Sequence, residues 1–237
     1  MTVEPSSISA VLPAFNEEAV IGDVVAQAAG VLAASVARYE IIVVDDGSGD
    51  ATGDRALAAA DNVRVLTHDT NRGYGAALRT GFDAATCEAV WLMDGDGQFD
   101  PAELGRLLAL YGPDRVVAGY RLDRQDGTLR RAYNLAFFGV VRALFGRTVS
   151  DVNCAFKLFP AEVGRGLRCD GAMVSTELLL RAQQSGYRLV EVGVHHRPRR
   201  AGRATGADPR VVARAFAELV RLRRHPSLLG TVTPPVA

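Results

Sequence analysis

The feature that most constrains the fold of this chain is a regular alternation between short apolar runs and longer segments with helical periodicity. The apolar runs are predicted strands and occupy residues 8–14, 40–46, 62–68, 89–94, 115–119 and 188–194. The helical segments between them occupy residues 18–34, 51–60, 75–85 and 101–111. Strands that are apolar on both faces and alternate with helices are typical of a mainly parallel sheet covered by helices.

The length of the chain predicts one α/β domain. The 237 residues contain no internal repeat or linker, and their 48% hydrophobic content is ample for a single core. We therefore predict one domain over residues 1–225 and a flexible C-terminal tail over residues 226–237.

Charge and targeting signals limit the function classes. The 27 basic residues balance 27 acidic ones, so no overall positive field indicates a nucleic-acid partner. The N-terminus lacks the basic and apolar regions of a signal peptide, and no stretch reaches the roughly 18 apolar residues of a membrane span. The three cysteines lack metal-site spacing. These features predict a cytoplasmic protein.

Acidic residues follow the second predicted strand in "VVDDGSGDAT". Ligands of such sheets bind beyond the carboxyl ends of the strands. Asp45 and Asp46 either shape the loop that begins the next helix or accept hydrogen bonds from the base or ribose of a nucleotide. Two adjacent acids exceed what helix capping needs.

A second acidic group follows the fourth predicted strand in "DGDGQFDP". Asp94 and Asp96 lie two residues apart, and Gln98 adds another oxygen. Mg²⁺ and Mn²⁺ take hard oxygen ligands, commonly one or two carboxylates together with substrate phosphates. We predict a divalent metal at these three residues, and we assign Asp100 to capping the helix that begins near Pro101.

Two glycine-containing loops are further candidates for ligand binding. "NRGYGAALRTG" lacks the third glycine of a dinucleotide fingerprint, so Gly73 predicts a tight turn near a nucleotide, with Arg72 beside it. "HHRPRRAGRATG" follows the last strand and is either a solvated charged face or a loop that binds a diphosphate. His195 and His196 are weaker candidates for metal ligands.

In order, "PAFNEE", "VVDDGSGDAT", "NRGYGAALRTG", "DGDGQFDP" and "DVNCAFKLF" resemble motifs of the inverting family 2 glycosyltransferases. The resemblance is strongest to dolichyl- and polyprenyl-phosphate hexosyltransferases and covers about residues 8–206. It implies a GT-A fold, which is a Rossmann-like, mainly parallel sheet flanked by helices. It also implies metal-dependent transfer of a hexose from a UDP- or GDP-sugar to a polyprenyl phosphate.

The resemblance assigns roles to individual residues. The nucleoside would be held by Pro13, Ala14, Asn16, Glu17, Asp45 and Asp46, with Arg72 and Gly73 nearby. The metal would be held by Asp94, Asp96 and Gln98. The diphosphate would be contacted by Arg199 or Arg200, with Arg203. The acceptor phosphate would be contacted by Arg121, Arg130 and Arg131, and Lys157, which fits the family pattern in "DVNCAFK", would also bind substrate. Asp151 would be the base if the acceptor were a hydroxyl, and Ala155 departs from a glycine of the family pattern.

Two arginine-bearing apolar segments, 129–146 and 209–224, are either core helices or helices that lie in a membrane surface. The second interpretation predicts a peripheral protein at the cytoplasmic face of the membrane. Two other functions stay open, namely transfer to a soluble hydroxyl acceptor and non-catalytic binding of a sugar nucleotide. A nucleotidyltransferase is disfavoured because the loop after the first strand is acidic. The oligomeric state is left open.

Overall fold

The computed structural model describes residues 4–122, 139, 149–169, 171, 173–198 and 229–232. The predicted segments 129–146 and 209–224 therefore lie outside the described residues, apart from residue 139. The same holds for five predicted site residues, Arg130, Arg131, Arg199, Arg200 and Arg203. Over the ranges that are described, no helix has the length and apolar character that crossing a bilayer requires.

Strands and helices alternate through most of the described chain. The strands are β1 (Ser7–Ala14), β2 (Arg38–Asp45), β3 (Val63–Thr67), β4 (Ala89–Met93), β5 (Arg115–Arg121), β6 (Phe156–Pro160) and β7 (Arg188–Val194). The helices are α1 (Ile21–Ser35), α2 (Thr52–Leu57), α3 (Tyr74–Ala84), α4 (Leu104–Leu108), α5 (Ala161–Gly164) and α6 (Val174–Gln184), with a 3-10 turn at Pro101–Glu103 before α4.

The strands form a single seven-stranded sheet in the order β3-β2-β1-β4-β6-β5-β7. All neighbours are parallel except those of β6, which is antiparallel to both β4 and β5. Ala14 is level with Asp45 at the ends of β1 and β2, and Val11 is level with Leu92 in β1 and β4. This register places the loops after β1, β2 and β4 side by side at one edge of the sheet.

The sheet is the middle layer of three. On one face, Ile8 and Leu12 of β1 pack with residues of α1 and α4, including Val25 and Leu107. On the other face, Val11 packs with residues of α3, α5 and α6, and Phe82 of α3 meets Phe159 of β6 edge to face at 5.4 Å. All eight residues of β1 are buried, as expected for a central parallel strand covered on both faces.

The predicted α/β class is confirmed, and each predicted strand is present within a few residues of its predicted bounds. Asp100 caps the turn at Pro101 as predicted, because its carboxylate accepts a hydrogen bond from the Ala102 amide at 3.0 Å. Strand β6 was not predicted. Its sequence is "FKLFP", in which Lys157 interrupts the apolar pattern.

Leu229 and Val232, near the C-terminus, contact helix α6 and the residue that follows it. Leu229 is buried, and its carbonyl accepts a hydrogen bond from Arg181. The amide of Val232 donates to the Ser185 hydroxyl at 2.9 Å. The domain boundary near residue 225 stays a prediction.

Candidate active site

The loops after β1 and β2 are braced against each other. The Asp46 amide donates to the Ala14 carbonyl at 2.9 Å. Asn16 donates its amide to the Ser48 hydroxyl and accepts from the Gly49 amide through its side-chain oxygen, both at 2.9 Å. Asn16 has a φ of 55°, a conformation that asparagine tolerates better than most residues, and these two contacts stabilise it.

Asp45 and Glu17 are buried beneath this pair of loops. The Asp45 carboxylate accepts from the Ser48 amide at 2.9 Å, which makes it a turn-forming residue. The Glu17 amide donates to the Thr52 hydroxyl at 2.8 Å, beside the start of α2. Asn16 is exposed, as are Phe15 and Glu18, whereas Glu17 is buried.

Asp46 connects the β2 loop to the loop that precedes α3. Its Oδ1 accepts from the Arg72 amide at 2.9 Å and lies 2.6 Å from His68 Nδ1, and its Oδ2 accepts from the Gly73 amide at 2.8 Å. His68 Nε2 lies 2.9 Å from the Thr80 hydroxyl. Asp46 and His68 are both buried, whereas the Arg72 side chain is exposed.

The acidic pair after β4 is seated against the end of β1. Gly95, between the two acids, donates its amide to the Pro13 carbonyl at 3.1 Å. A Cβ at Gly95 would lie 2.9 Å from Ile21 Cδ1 and 3.1 Å from that carbonyl oxygen, so the approach requires glycine. Asp94 and Asp96 therefore flank a residue that touches the first motif.

Two neighbouring carboxylates fit a Mg²⁺ or Mn²⁺ ion whose coordination is completed by substrate phosphates. Among the described residues, no group of three or more His, Cys, Asp and Glu side chains is arranged to hold a metal ion. Asp94 and Asp96 are a donor pair that fits a cation shared with a diphosphate.

Gln98 joins this acidic loop to the segment that follows β7. Its side-chain amide donates to the Arg197 carbonyl at 3.0 Å, and the Arg197 amide donates back to the Gln98 carbonyl at 2.8 Å. The Arg197 guanidinium also pairs with Asp100. If Gln98 contacts a cation, its side-chain oxygen would be the ligand, because its side-chain N–H donates to the Arg197 carbonyl.

His195 and His196 extend the same contact. His195 is bound through its amide and Nδ1 to the Glu103 carboxylate, both at 2.7 Å. The His196 ring packs edge to face on Phe99 at 5.0 Å. These contacts anchor the beginning of the predicted diphosphate loop beside the acidic pair, so both histidines have packing and anchoring roles here.

Arg121 and Asp151 form a two-armed ion pair at the end of β5. Arg121 Nε lies 2.7 Å from Asp151 Oδ2, and the second guanidinium contact is 3.0 Å long. Both side chains are mostly buried. The pair holds the Arg121 guanidinium in place at the end of β5. It also engages both carboxylate oxygens of Asp151, the predicted base.

Lys157 lies in the core, with no exposed surface. Its amino group donates to the carbonyls of Val152 and Cys154, and burial lowers the pKa of this lysine, while the charges of Asp151 and Asp94 oppose that shift. In this position Lys157 shapes the loop that carries Asp151. Burial also raises the pKa of the Cys154 thiol to about 12.

Tyr74 is a site residue that sequence reasoning missed. It begins α3 directly after Gly73, and its hydroxyl contacts Asp94. The residue as a whole is 39% exposed, but burial of the hydroxyl, followed by the charge and hydrogen bond of Asp94, raises the pKa of Tyr74 well above its ordinary value. His68 was also missed, although it ends a predicted strand at the edge where ligands bind.

A family model and two relatives of known family assign this chain to the same family. A sequence model of the family described as "Glycosyl transferase family 2" matches residues 9–165. The chain is 31% identical over 202 residues to the undecaprenyl-phosphate 4-deoxy-4-formamido-L-arabinose transferase of Edwardsiella ictaluri, covering 82% of this chain and 61% of that protein. It is 32% identical over 218 residues to glycosyltransferase AglD of Haloferax volcanii, covering 81% of this chain and 33% of that protein. The chain thus spans less than two thirds of either relative.

Solved structures with the same fold include glucosyl-3-phosphoglycerate synthase from Mycobacterium tuberculosis. Its complex with Mn²⁺, UDP-glucose and glycerol 3-phosphate has a TM-score of 0.68 at 23% identity, covering 96% of this chain and 81% of that one. Its complex with Mg²⁺ and UDP has a TM-score of 0.67 at 22% identity, covering 96% and 80%. The predicted GT-A fold is confirmed by this similarity.

Proposed function

Since the chain belongs to glycosyl transferase family 2 and is a glycosyltransferase, we propose that it transfers a hexose from a nucleoside diphosphate sugar to a polyprenyl phosphate, with inversion. The part of this proposal that concerns the sugar donor rests on one observation: the loops with the predicted motifs lie side by side at one edge of the sheet. The Gly95 amide reaches the Pro13 carbonyl, and the Asp46 amide reaches the Ala14 carbonyl. The donor would be a UDP- or GDP-hexose.

The donor would lie across this edge. Its nucleoside would contact Asn16, Arg72 and the backbone around Pro13 and Ala14, while its diphosphate would lie toward Asp94 and Asp96. The two carboxylates would hold a Mg²⁺ or Mn²⁺ ion with the diphosphate, and Gln98 would add an amide oxygen. When bound, the cation supplies positive charge to the departing diphosphate. Arg199 or Arg200, with Arg203, would add to that charge.

The acceptor phosphate would approach near Arg121. An oxygen of this phosphate forms the new bond to the anomeric carbon, and the bond from that carbon to the donor diphosphate breaks. A phosphomonoester loses its second proton near pH 6, so the nucleophile is already charged at neutral pH. Both oxygens of Asp151 face Arg121, which supports an acceptor that needs no base. Arg130 and Arg131 would extend this cationic side.

A lipid acceptor also requires contact with a membrane. The name of the relative from Edwardsiella ictaluri refers to undecaprenyl phosphate, which supports a lipid phosphate as the acceptor class. We place the protein at the cytoplasmic face as a peripheral protein. Because each arginine near an anionic surface contributes about 1 kcal/mol, screened by salt, anionic liposomes should float with the protein at low salt and release it at high salt. Equal flotation with neutral liposomes would contradict this attachment.

A donor screen tests the reaction. The purified protein is assayed with UDP- and GDP-hexoses and Mn²⁺ or Mg²⁺, with either polyprenyl phosphate or a soluble hydroxyl acceptor, and released nucleoside diphosphate is measured. We expect turnover with the lipid phosphate and its loss in EDTA. Transfer to the hydroxyl acceptor alone would overturn the lipid assignment.

Two matched variants test the acidic pair. Asp96→Asn removes the charge without changing the size of the side chain and should lower kcat/KM by about 10²–10³-fold, the scale of one lost electrostatic contact to developing charge. Asp61→Asn makes the same change at an exposed turn position before β3, at the opposite end of the sheet from the acidic pair. It should keep parental turnover. Full activity of Asp96→Asn would contradict the metal assignment.

A further inference from the structure

We propose that His68 is a positioning residue of the donor site: it orients the Asp46 carboxylate, which in turn fixes the backbone at Arg72 and Gly73. The inference rests on the proposed function, because it deepens the account of how that site holds a nucleoside diphosphate. His68, Asp46 and the two amides form one continuous set of hydrogen bonds.

The chemistry fixes the direction of these hydrogen bonds. An ionised carboxylate can only accept, so His68 Nδ1 is the protonated nitrogen and donates to Asp46. Nε2 faces the Thr80 hydroxyl at 2.9 Å, which holds the ring from its other side. With the ring fixed at both nitrogens, the carboxylate has one orientation, in which its two oxygens receive the Arg72 and Gly73 amides.

The loop that Asp46 holds is closely fitted to its neighbours. Gly73 has a φ of 94° and Gly47 a φ of 74°, both in the region that favours glycine. A Cβ at Gly47 would lie 2.5 Å from the Thr70 carbonyl carbon and 2.7 Å from the Asn71 nitrogen. A small rotation of the Asp46 carboxylate would therefore move a loop that has little room to adjust.

The position of the Arg72–Gly73 loop explains why the contact between His68 and Asp46 would affect donor binding. Arg72 presents an exposed side chain beside the predicted nucleoside edge, and Tyr74, directly after Gly73, contacts Asp94 of the acidic pair. Asp46 itself is 4% exposed and accepts hydrogen bonds from the protein through both oxygens. We therefore assign Asp46 to positioning, with His68 as the residue that orients it.

Two isosteric variants separate the nitrogens of the ring. The side-chain amide of His68→Asn lies near the place of Nδ1 and can still donate to Asp46, whereas that of His68→Gln lies near the place of Nε2 and reaches toward Thr80. We expect the KM for the donor to rise about tenfold in His68→Ala and His68→Gln, with kcat within about twofold, because uniform binding is what is lost. His68→Asn should stay close to the parent. A purely structural role would give no such difference between Asn and Gln variants of equal melting temperature.

Hydrogen exchange followed by mass spectrometry supplies a readout independent of turnover. Exchange in the peptide that contains Arg72 and Gly73 should rise in His68→Ala and His68→Gln and stay parental in His68→Asn. Parental exchange and parental KM in His68→Gln would overturn the positioning role while leaving the proposed function intact. If the parent protein binds neither UDP nor GDP in calorimetry, the donor assignment fails instead, and the exchange data still decide whether His68 fixes the loop. Should His68→Ala not fold, the Asn and Gln pair decides alone.

Discussion

Gly95→Ala should separate the acidic pair from the end of β1. The added Cβ would lie 2.9 Å from Ile21 Cδ1, 3.1 Å from the Pro13 carbonyl oxygen and 3.4 Å from the Ala14 Cβ. The isoleucine terminus can rotate away, but the carbonyl is backbone and also accepts the Gly95 amide at 3.1 Å. Overpacking of this kind costs about 1–3 kcal/mol, and the lower entropy of the unfolded alanine chain returns about 0.4–1 kcal/mol. We expect a net loss of stability of about 1–2 kcal/mol.

For a chain of this length, that loss corresponds to a fall in Tm of roughly 2–8 °C. Because the acids on either side must move by a few tenths of an ångström, we also expect kcat/KM to fall about tenfold. Calorimetric melting and donor turnover measure the two effects. Gly30→Ala is the matched control, since its Cβ would meet nothing within 4 Å in α1 and should stabilise the fold by about 0.5–1 kcal/mol. A Gly95→Ala protein that melts at or above the parental Tm, as Gly30→Ala should, would refute the reasoning.

The other predictions concern Arg121 and Glu103, whose side-chain contacts hold two segments beside the site. Arg121→Lys removes the two-armed contact to Asp151, so the urea midpoint should fall by an amount equivalent to about 1–3 kcal/mol; an unchanged midpoint would contradict a structural role for the pair. Glu103→Ala releases the His195 amide and ring, which anchor the segment after β7, so steady-state turnover should fall while Tm changes little. Parental kcat/KM in that variant would show that this anchor does not affect the reaction.

Most of the fold was predictable because the sequence carries two strong periodic signals. Parallel strands buried on both faces give the continuous apolar runs of β1, β2 and β4, and the helices between them follow the 3.6-residue repeat. Strand β6 was not predicted because its second residue is Lys157, a residue type that is rarely buried. The Lys157 amino group donates hydrogen bonds to the carbonyls of Val152 and Cys154. No sequence pattern predicts a loop whose carbonyls accept from a buried lysine.

The candidate site was predictable to the level of its loops. Carboxyl ends of parallel strands lie at the same edge of a sheet, so the loops after β1, β2 and β4 were expected at one edge, and the structure places them there. Sequence could not say which partner each polar group takes. Tyr74 and His68 illustrate the limit, since both reach the site through contacts with residues more than fifteen positions away.

Asp45 and Asp46 show why that limit is physical. Neighbouring residues at the end of a strand point to opposite faces of the sheet. Asp45 points toward α2, where its carboxylate accepts the Ser48 amide and would lie 3.0 Å from a Cβ at Gly53. Asp46 meets His68 and the loop before α3 instead. Two identical adjacent acids thus shape two different loops. Direct contact with a nucleoside would then be made by exposed groups on those loops, and Arg72 is the main candidate.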